Sequence, residues 1–314
     1  MRVLIGYDGS PGADAALDDL RKAGLQREVE AIIISVREVA PPPIADDMVT
    51  RPVTSGLVTE ALAQAAAASR QVLDEAQELA AKAGERVRSD FPNWQVHTEG
   101  VAGWPATELI NKADEWNADL VVVGSHSRST VGRFILGSVS KKVVTDSYHS
   151  VRVARPVADK NNGSRLRVMI GVDGSSEAES AIREVGMRVW PKETEVRIVA
   201  VDDGTSPARI SRVLPTAAAM IQSSKDKAFA ASRMMAEWAE RELRVIGLQV
   251  SVGLQQGDAQ RTLIEEARKW EADSIFVGSR KFDGTFERFW LGSVSTAVVT
   301  KAHCSVEVVR SATN

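Results

Sequence analysis

The sequence predicts an α/β fold built twice: two tandem doubly wound domains, each an open five-stranded parallel sheet with helices on both faces. Three observations carry this. Short β-branched, apolar runs alternate with helix-length segments, the pattern of a parallel sheet covered on both sides. The chain repeats itself: Val3-Leu-Ile-Gly-Tyr-Asp8-Gly-Ser10 returns as Val168-Met-Ile-Gly-Val-Asp173-Gly-Ser175, and Ala118-Asp-Leu-Val-Val-Val-Gly124 as Ala272-Asp-Ser-Ile-Phe-Val-Gly278. The length of 314 residues is large for one core and natural for two domains of about 150.

In chain order the first copy reads as strand Val3 to Tyr7, helix Ala13 to Ala23, strand Ala31 to Val36, an alanine-rich helix from about Val58 to Val87, and strand Gln95 to Thr98. Helix Pro105 to Trp116, strand Leu120 to Val123, helix Ser138 to Ser147 and strand Val151 to Val153 complete it. The second copy repeats the strands at Val168 to Val172, Val196 to Val201, Leu248 to Val252, Ser274 to Val277 and Val306 to Val309. The offset between copies is 165 at the first motif, 154 at the fourth strand and 155 beyond it. The second copy therefore lacks about eleven residues of the middle and carries one more in the loop after its fourth strand. Residues 156–164, with a proline, a glycine and two asparagines, read as a linker between domains at 1–155 and 165–314. A second irregular stretch, Arg37 to Gly56 with Pro41-Pro-Pro43, reads either as a partial lid or as a mobile loop.

Composition narrows the function classes. Charged residues make up 26% of the chain and the net charge is −3, so no polybasic surface is available to hold nucleic acid or anionic lipid by counterion release. A single cysteine, Cys304, rules out an intrachain disulfide and a Cys-rich zinc site; it reads as a small buried apolar residue before the last strand. No apolar run is long enough for a membrane span or a secretory leader, and a cytoplasmic protein is expected. No Gly-x4-Gly-Lys-(Ser/Thr) loop, Gly-x-Ser-x-Gly elbow or His-Glu-x-x-His helix occurs, so an enzyme with a familiar signature is not indicated. Trp116 and Trp270, at equivalent places, read as core packing.

The candidate site is Gly124 to Ser140, GSHSRSTVGRFILGSVS, with its duplicate Gly278 to Ser295, GSRKFDGTFERFWLGSVS. A buried strand that runs into a glycine and serine loop and then a helix start gathers unpaired N–H groups and the helix dipole, a setting built for an anion. Gly124 and Gly278 are read as points where the chain passes close to a ligand at the carboxyl edge of the sheet. Ser138 and Ser293, following Gly137 and Gly292, are read as N-cap hydroxyls beside the helix amides. Ser125, Val139 and Ser140, and Ser279, Val294 and Ser295 in the duplicate, belong to the same cradle. His126, Arg128 and Arg133 in the first loop, and Arg280, Lys281 and Arg288 in the second, read as phosphate-neutralising groups or as solvated loop charges. For Asp8 and Asp173 three readings stand: a ligand-pocket residue, a turn residue of Asp-Gly-Ser, or a metal-binding or catalytic carboxylate.

These motifs together resemble the universal stress protein family, as a tandem pair covering nearly the whole chain. The family's ATP-binding branch carries Gly-x2-Gly-x9-Gly-(Ser/Thr). The first copy is similar, reading Gly124-x2-Ser127-x9-Gly137-Ser138, with serine at the middle glycine. The second reads Gly278-x2-Lys281 and then ten residues to Gly292-Ser293, departing in identity and length. The resemblance implies ATP, with or without Mg²⁺, as the ligand, Asp8 and Asp173 in the adenosine pocket, and main-chain groups at Val36 and Val201 facing adenine. It also implies a nucleotide-dependent stress-response role, with slow hydrolysis at most. The last strands, Val151 to Arg155 and Val306 to Arg310, would pair the halves within the chain as a pseudo-dimer, and two chains could associate further as a homodimer. The rival reading is a nucleotide-free interaction module that keeps the fold and has lost the ligand in one or both halves.

Overall fold

A computed structural model describes residues 1–38, 55–125, 136–156, 165–202, 215–279 and 291–311, with the backbone alone over 55–62, 64–65 and 215–226. The first copy comprises β1 (Arg2–Gly6), α1 (Pro11–Asp19) continued by a 3₁₀ turn (Leu20–Lys22), β2 (Glu30–Arg37), α2 (Ser55–Asp90), β3 (Gln95–Ala102), α3 (Pro105–Trp116), β4 (Leu120–Gly124), α4 (Ser138–Asp146) and β5 (Ser150–Ala154). The second comprises β6 (Arg167–Val172), α5 (Ser176–Met187), β7 (Glu195–Asp202), α6 (Pro215–Val245), β8 (Gln249–Gln256), α7 (Ala259–Lys269), β9 (Ser274–Gly278), α8 (Ser293–Lys301) and β10 (Ser305–Val309). The stretch from Arg37 read as a lid or loop lies outside the described residues over 39–54, as does the linker over 157–164.

The described strands form one sheet of ten, in the order β3-β2-β1-β4-β5-β10-β9-β6-β7-β8. Within each copy all neighbours are parallel; only β5 and β10 meet antiparallel. Exchanging the copies leaves the order unchanged, so the sheet has an approximate two-fold axis at its middle. β3 runs on to Ala102, beyond the expected Thr98. It is an edge strand paired only with β2 and half-buried along most of its length, so its ladder continues where its apolar pattern does not.

Burial follows the duplication. One face of the sheet carries a core shared by both copies, running from Leu4 and Val121 through Val151 and Val153 to Val306, Val308 and Ile275. Trp116 and Trp270 pack against it as expected. The opposite face has a separate core in each copy, one around Val3, Ile5 and Leu17 and one around Val168, Ile170 and Ile182. Because residues alternate along a strand, Val151 and Val153 face the shared core while Arg152 turns to the other side, and Glu307 does the same between Val306 and Val308.

Arg152 and Glu307, both wholly buried, stand directly opposite each other where β5 meets β10. Arg152 donates through Nε to Asp19 Oδ2 (2.6 Å) and through Nη1 to Glu307 Oε2 (3.2 Å). Glu307 also accepts from Arg188, which in turn pairs with Glu184. The result is an alternating row of charges from α1, across both central strands, to α5. Burial pushes the Glu307 carboxyl up and by itself would pull Arg152 down, while Asp19 and then Glu307 carry Arg152 above its ordinary value. Two guanidiniums donate to Glu307, and that geometry decides for the ionised pair.

Cys304 is buried without exposure, as its sequence position suggests, and burial pushes its thiol up to about 12. The ordinary value is 9.0, so above that pH the unfolded thiol ionises while the folded one keeps its proton. Stability is therefore full below pH 9 and falls as pH rises. Above about pH 10 the Tyr7 hydroxyl, pushed up from 10.0 to about 12, adds to the fall, while the lowering of Arg155 and Arg310 by burial acts the other way. Urea unfolding between about pH 9 and 10 is expected to show a loss of up to about 1.4 kcal/mol per pH unit in the wild type and a flatter profile in Cys304→Ala; identical slopes would refute the assignment.

Candidate functional site

Two equivalent clefts open at the carboxyl ends of the strands, one per copy, where the chain order reverses between the first and fourth strands. Each is floored by the Asp-Gly-Ser turn after the first strand. Asp8 Oδ1 accepts from the amide of Ser10 (2.9 Å), and Asp173 Oδ1 from that of Ser175 (3.1 Å). The turn role offered for these aspartates is therefore real in both copies, and both also line the clefts. The turn needs its glycine: Gly9 and Gly174 have φ of +79° and +81°. Ser10 and Ser175 then cap α1 and α5, accepting from Ala13 and Ala178 amides at 3.2 Å each. Tyr7 donates to Asp14 (2.9 Å); burial and then that bond push its hydroxyl up to about 12, so it stays a donor.

Val36 and Val201 sit just past the point where the first strand stops. Tyr7 N–H bonds to Ile34 O (3.0 Å), so Ile34 turns its main chain toward β1. Val36, two residues on, turns the same way, beyond Gly6 where the β1 ladder ends. In the second copy the β6–β7 ladder ends at Ala200, immediately before Val201. Both valines line their clefts.

The glycines after the fourth strand, Gly124 and Gly278, line the clefts and are also held by packing. A Cβ on Gly124 would fall on the Gly12 carbonyl and 2.8 Å from Ala13 N. On Gly278 it would meet the Glu177 carbonyl and stand 2.8 Å from Ala178 N. Close packing of the first turn of α1 or α5 on the strand end by itself requires glycine at these positions. Ser138 and Ser293 need correction. Gly137 and Gly292 are the N-caps, with no side-chain cap bond, and the serines are the first residues of α4 and α8. The hydroxyls that fix the helices belong to Ser140 and Ser295, which donate to Gly124 O (2.6 Å) and Gly278 O (2.9 Å).

Gly137, Gly292 and Ser125 line the clefts. Gly137 and Gly292 have ordinary φ values of −63° and −55°, and a Cβ on Gly292 would meet nothing within 4 Å. The buried hydroxyls of Ser125 and Ser279, at the exits of β4 and β9, find no hydrogen-bond partner among the described residues. Val139 and Val294 close the apolar side of the clefts. His126, Ser127 and Arg128, and Arg280 and Lys281, lie outside the described residues, with Arg133 and Arg288. Sequence reasoning missed Leu109 and Leu263, which form the far wall. Their equivalent places on the apolar stripes of α3 and α7 were the available signal. The second cleft measures about 350 Å³ and the first about 150 Å³, so the copy with the more divergent loop has the roomier described cleft.

A doubled, open α/β sheet with one cleft per copy at the strand ends defines the class. The profile of the Universal stress protein family matches residues 1–155 and 165–310, and the chain belongs to that family. A universal stress protein of Mycolicibacterium smegmatis is 28% identical over 308 residues, spanning 98% of this chain and 96% of that one. The Bacillus subtilis universal stress protein YxiE is 29% identical over 161 residues, 49% of this chain and 98% of its own. Among solved structures, a universal stress protein from Archaeoglobus fulgidus shares the fold with a TM-score of 0.57 at 21% identity, covering 98% of each chain. A Pseudomonas aeruginosa protein described as a putative universal stress protein aligns with a TM-score of 0.59 at 12% identity, over 98% of this chain and 92% of its own. No described helix is long and apolar enough to cross a membrane.

Proposed function

We propose that each half binds an adenine nucleotide, ATP foremost, and that the protein serves as a nucleotide-dependent regulator in a stress response. The observation that carries this reading is Gly292, a helix N-cap whose missing side chain is required neither by backbone angle nor by packing, and whose open side is the cleft. A side chain there would fill the space a phosphate needs at the helix start. The residues present fit the ligand. The first amides of α4 and α8 would hold phosphates, and the Ser125 hydroxyl, which lines the first cleft, would be a partner for them. Asp8, Asp173 and the main chain at Val36 and Val201, which line the clefts, would face the adenosine moiety. Among the described residues no cluster of three or more His, Cys, Asp or Glu side chains is built for a metal, so Mg²⁺ would be bound with the nucleotide's phosphates.

Ligand binding to the folded state raises stability by about 2.7 kcal/mol per site at 100 times the dissociation constant. Thermal unfolding with millimolar ATP and Mg²⁺ is expected to show that rise. An unchanged transition, with protein that purifies free of nucleotide, would favour the ligand-free module.

A further inference from the structure

The seam between β5 and β10 holds two kinds of contact, and they differ in symmetry. The first kind is reciprocal. Arg155 donates to the Val299 carbonyl near the end of α8, and Arg310 to the Val144 carbonyl near the end of α4. The Arg155 amide donates to Ser305 Oγ and the Arg310 amide to Ser150 Oγ, both at 3.1 Å. Each member is the duplicate of the other, 155 residues on. Two copies of β5, or two of β10, would satisfy these bonds as well as the native pair does.

The second kind is not reciprocal. Arg152 and Glu307 are also duplicates of each other, and they meet at the point where each strand faces its own counterpart. Paired β5 with β5, two buried guanidiniums would meet there, and β10 with β10, two carboxylates. Each half already supplies one partner of its own, Asp19 for Arg152 and Arg188 for Glu307. What a like pairing leaves without a partner is the second valence of each, Nη1 and Oε2. The adjoining contact is lopsided in size as well: a Cβ on Gly24 would stand 2.7 Å from the Trp190 ring, so glycine in one copy makes room for tryptophan of the other.

We propose that Arg152 and Glu307 select the pairing of the two halves, directing β5 onto β10 and excluding β5–β5 and β10–β10 association between chains. A buried like-charge contact costs several kcal/mol, whereas a buried opposite pair gives little net stability over an apolar one. The pair thus acts on choice of partner more than on strength.

Full-length chains carrying Arg152→Glu and Glu307→Arg provide the test. Each alone sets like charges against each other across its own seam. When the two are refolded together, the Arg152 strand of one chain and the Glu307 strand of the other restore a native seam between chains. Native mass spectrometry of an equal mixture with one chain isotopically labelled is expected to show a ratio of mixed to like two-chain assemblies about tenfold above the one-to-one ratio given by labelled and unlabelled wild type. Random proportions would overturn the proposal. A second variant covers failure of the charge reversals to fold. Arg152→Met, Glu307→Met and Asp19→Asn together remove the pair and the carboxylate that it would strand, while Arg188 keeps Glu184 and the Ala23 carbonyl; this variant is expected to fold, and on refolding at high concentration should form interchain assemblies about tenfold more than the wild type. Equal amounts of such assemblies would also overturn it.

Discussion

Gly124→Ala is expected to destabilise the protein by about 3 kcal/mol or more, although it adds one methyl group. The new carbon would fall on the Gly12 carbonyl and 2.8 Å from Ala13 N, and both are backbone atoms of the first turn of α1. A flexible side chain could swing aside; a capped helix start cannot. Moving α1 would strain the Ser10 cap, the Asp8 turn and the packing of Leu17 against Val3 and Ile5. Gly278→Ala should behave alike, because the Glu177 carbonyl and Ala178 N take the corresponding place. Gly292→Ala should cost no more than about 0.5 kcal/mol, since its Cβ meets nothing within 4 Å. Urea unfolding of the three variants checks the contrast, and equal losses at Gly124 and Gly292 would contradict it.

Arg152→Met is expected to cost about 3–5 kcal/mol, the usual price of leaving a buried charge without its partner. Asp19, 4% exposed, would keep only the Ser305 hydroxyl (2.8 Å) among the bonds described at its carboxylate. Glu307→Gln should cost far less, about 1 kcal/mol, because Arg152 keeps its two bonds to Asp19. Arg188 would exchange a carboxylate for an amide while keeping Glu184 and the Ala23 carbonyl. The asymmetry between the two substitutions is the readable result. Comparable losses would show that the charges act as one unit.

Most of the architecture was legible in the sequence because duplication gives an internal comparison. Two copies of a strand followed by Asp-Gly-Ser fix where each sheet begins, and two copies of Gly-Ser-Val-Ser fix where the fourth helix starts. Roles within the loop were less legible. Gly124 and Gly137 look alike as letters, yet one accommodates a neighbouring backbone and the other, with an ordinary φ, caps a helix at the cleft. Only a contact with residue 12, far away in sequence, separates them. The N-cap was misplaced by one residue for a similar reason: glycine and serine both serve there, and the backbone angles decide. The seam was visible as two apolar strand ends. The meeting of Arg152 with Glu307 depends on the antiparallel register, which no local pattern encodes.

The central claim, one adenine nucleotide per half held at the starts of α4 and α8, is tested most directly by equilibrium dialysis with labelled ATP and Mg²⁺. The wild type should bind two nucleotides per chain, Gly137→Leu and Gly292→Leu one each, and the double variant none, with unfolding stability within about 1 kcal/mol of the wild type throughout. Absence of binding to the wild type at millimolar ATP, or two nucleotides still bound by the folded double variant, would contradict the account.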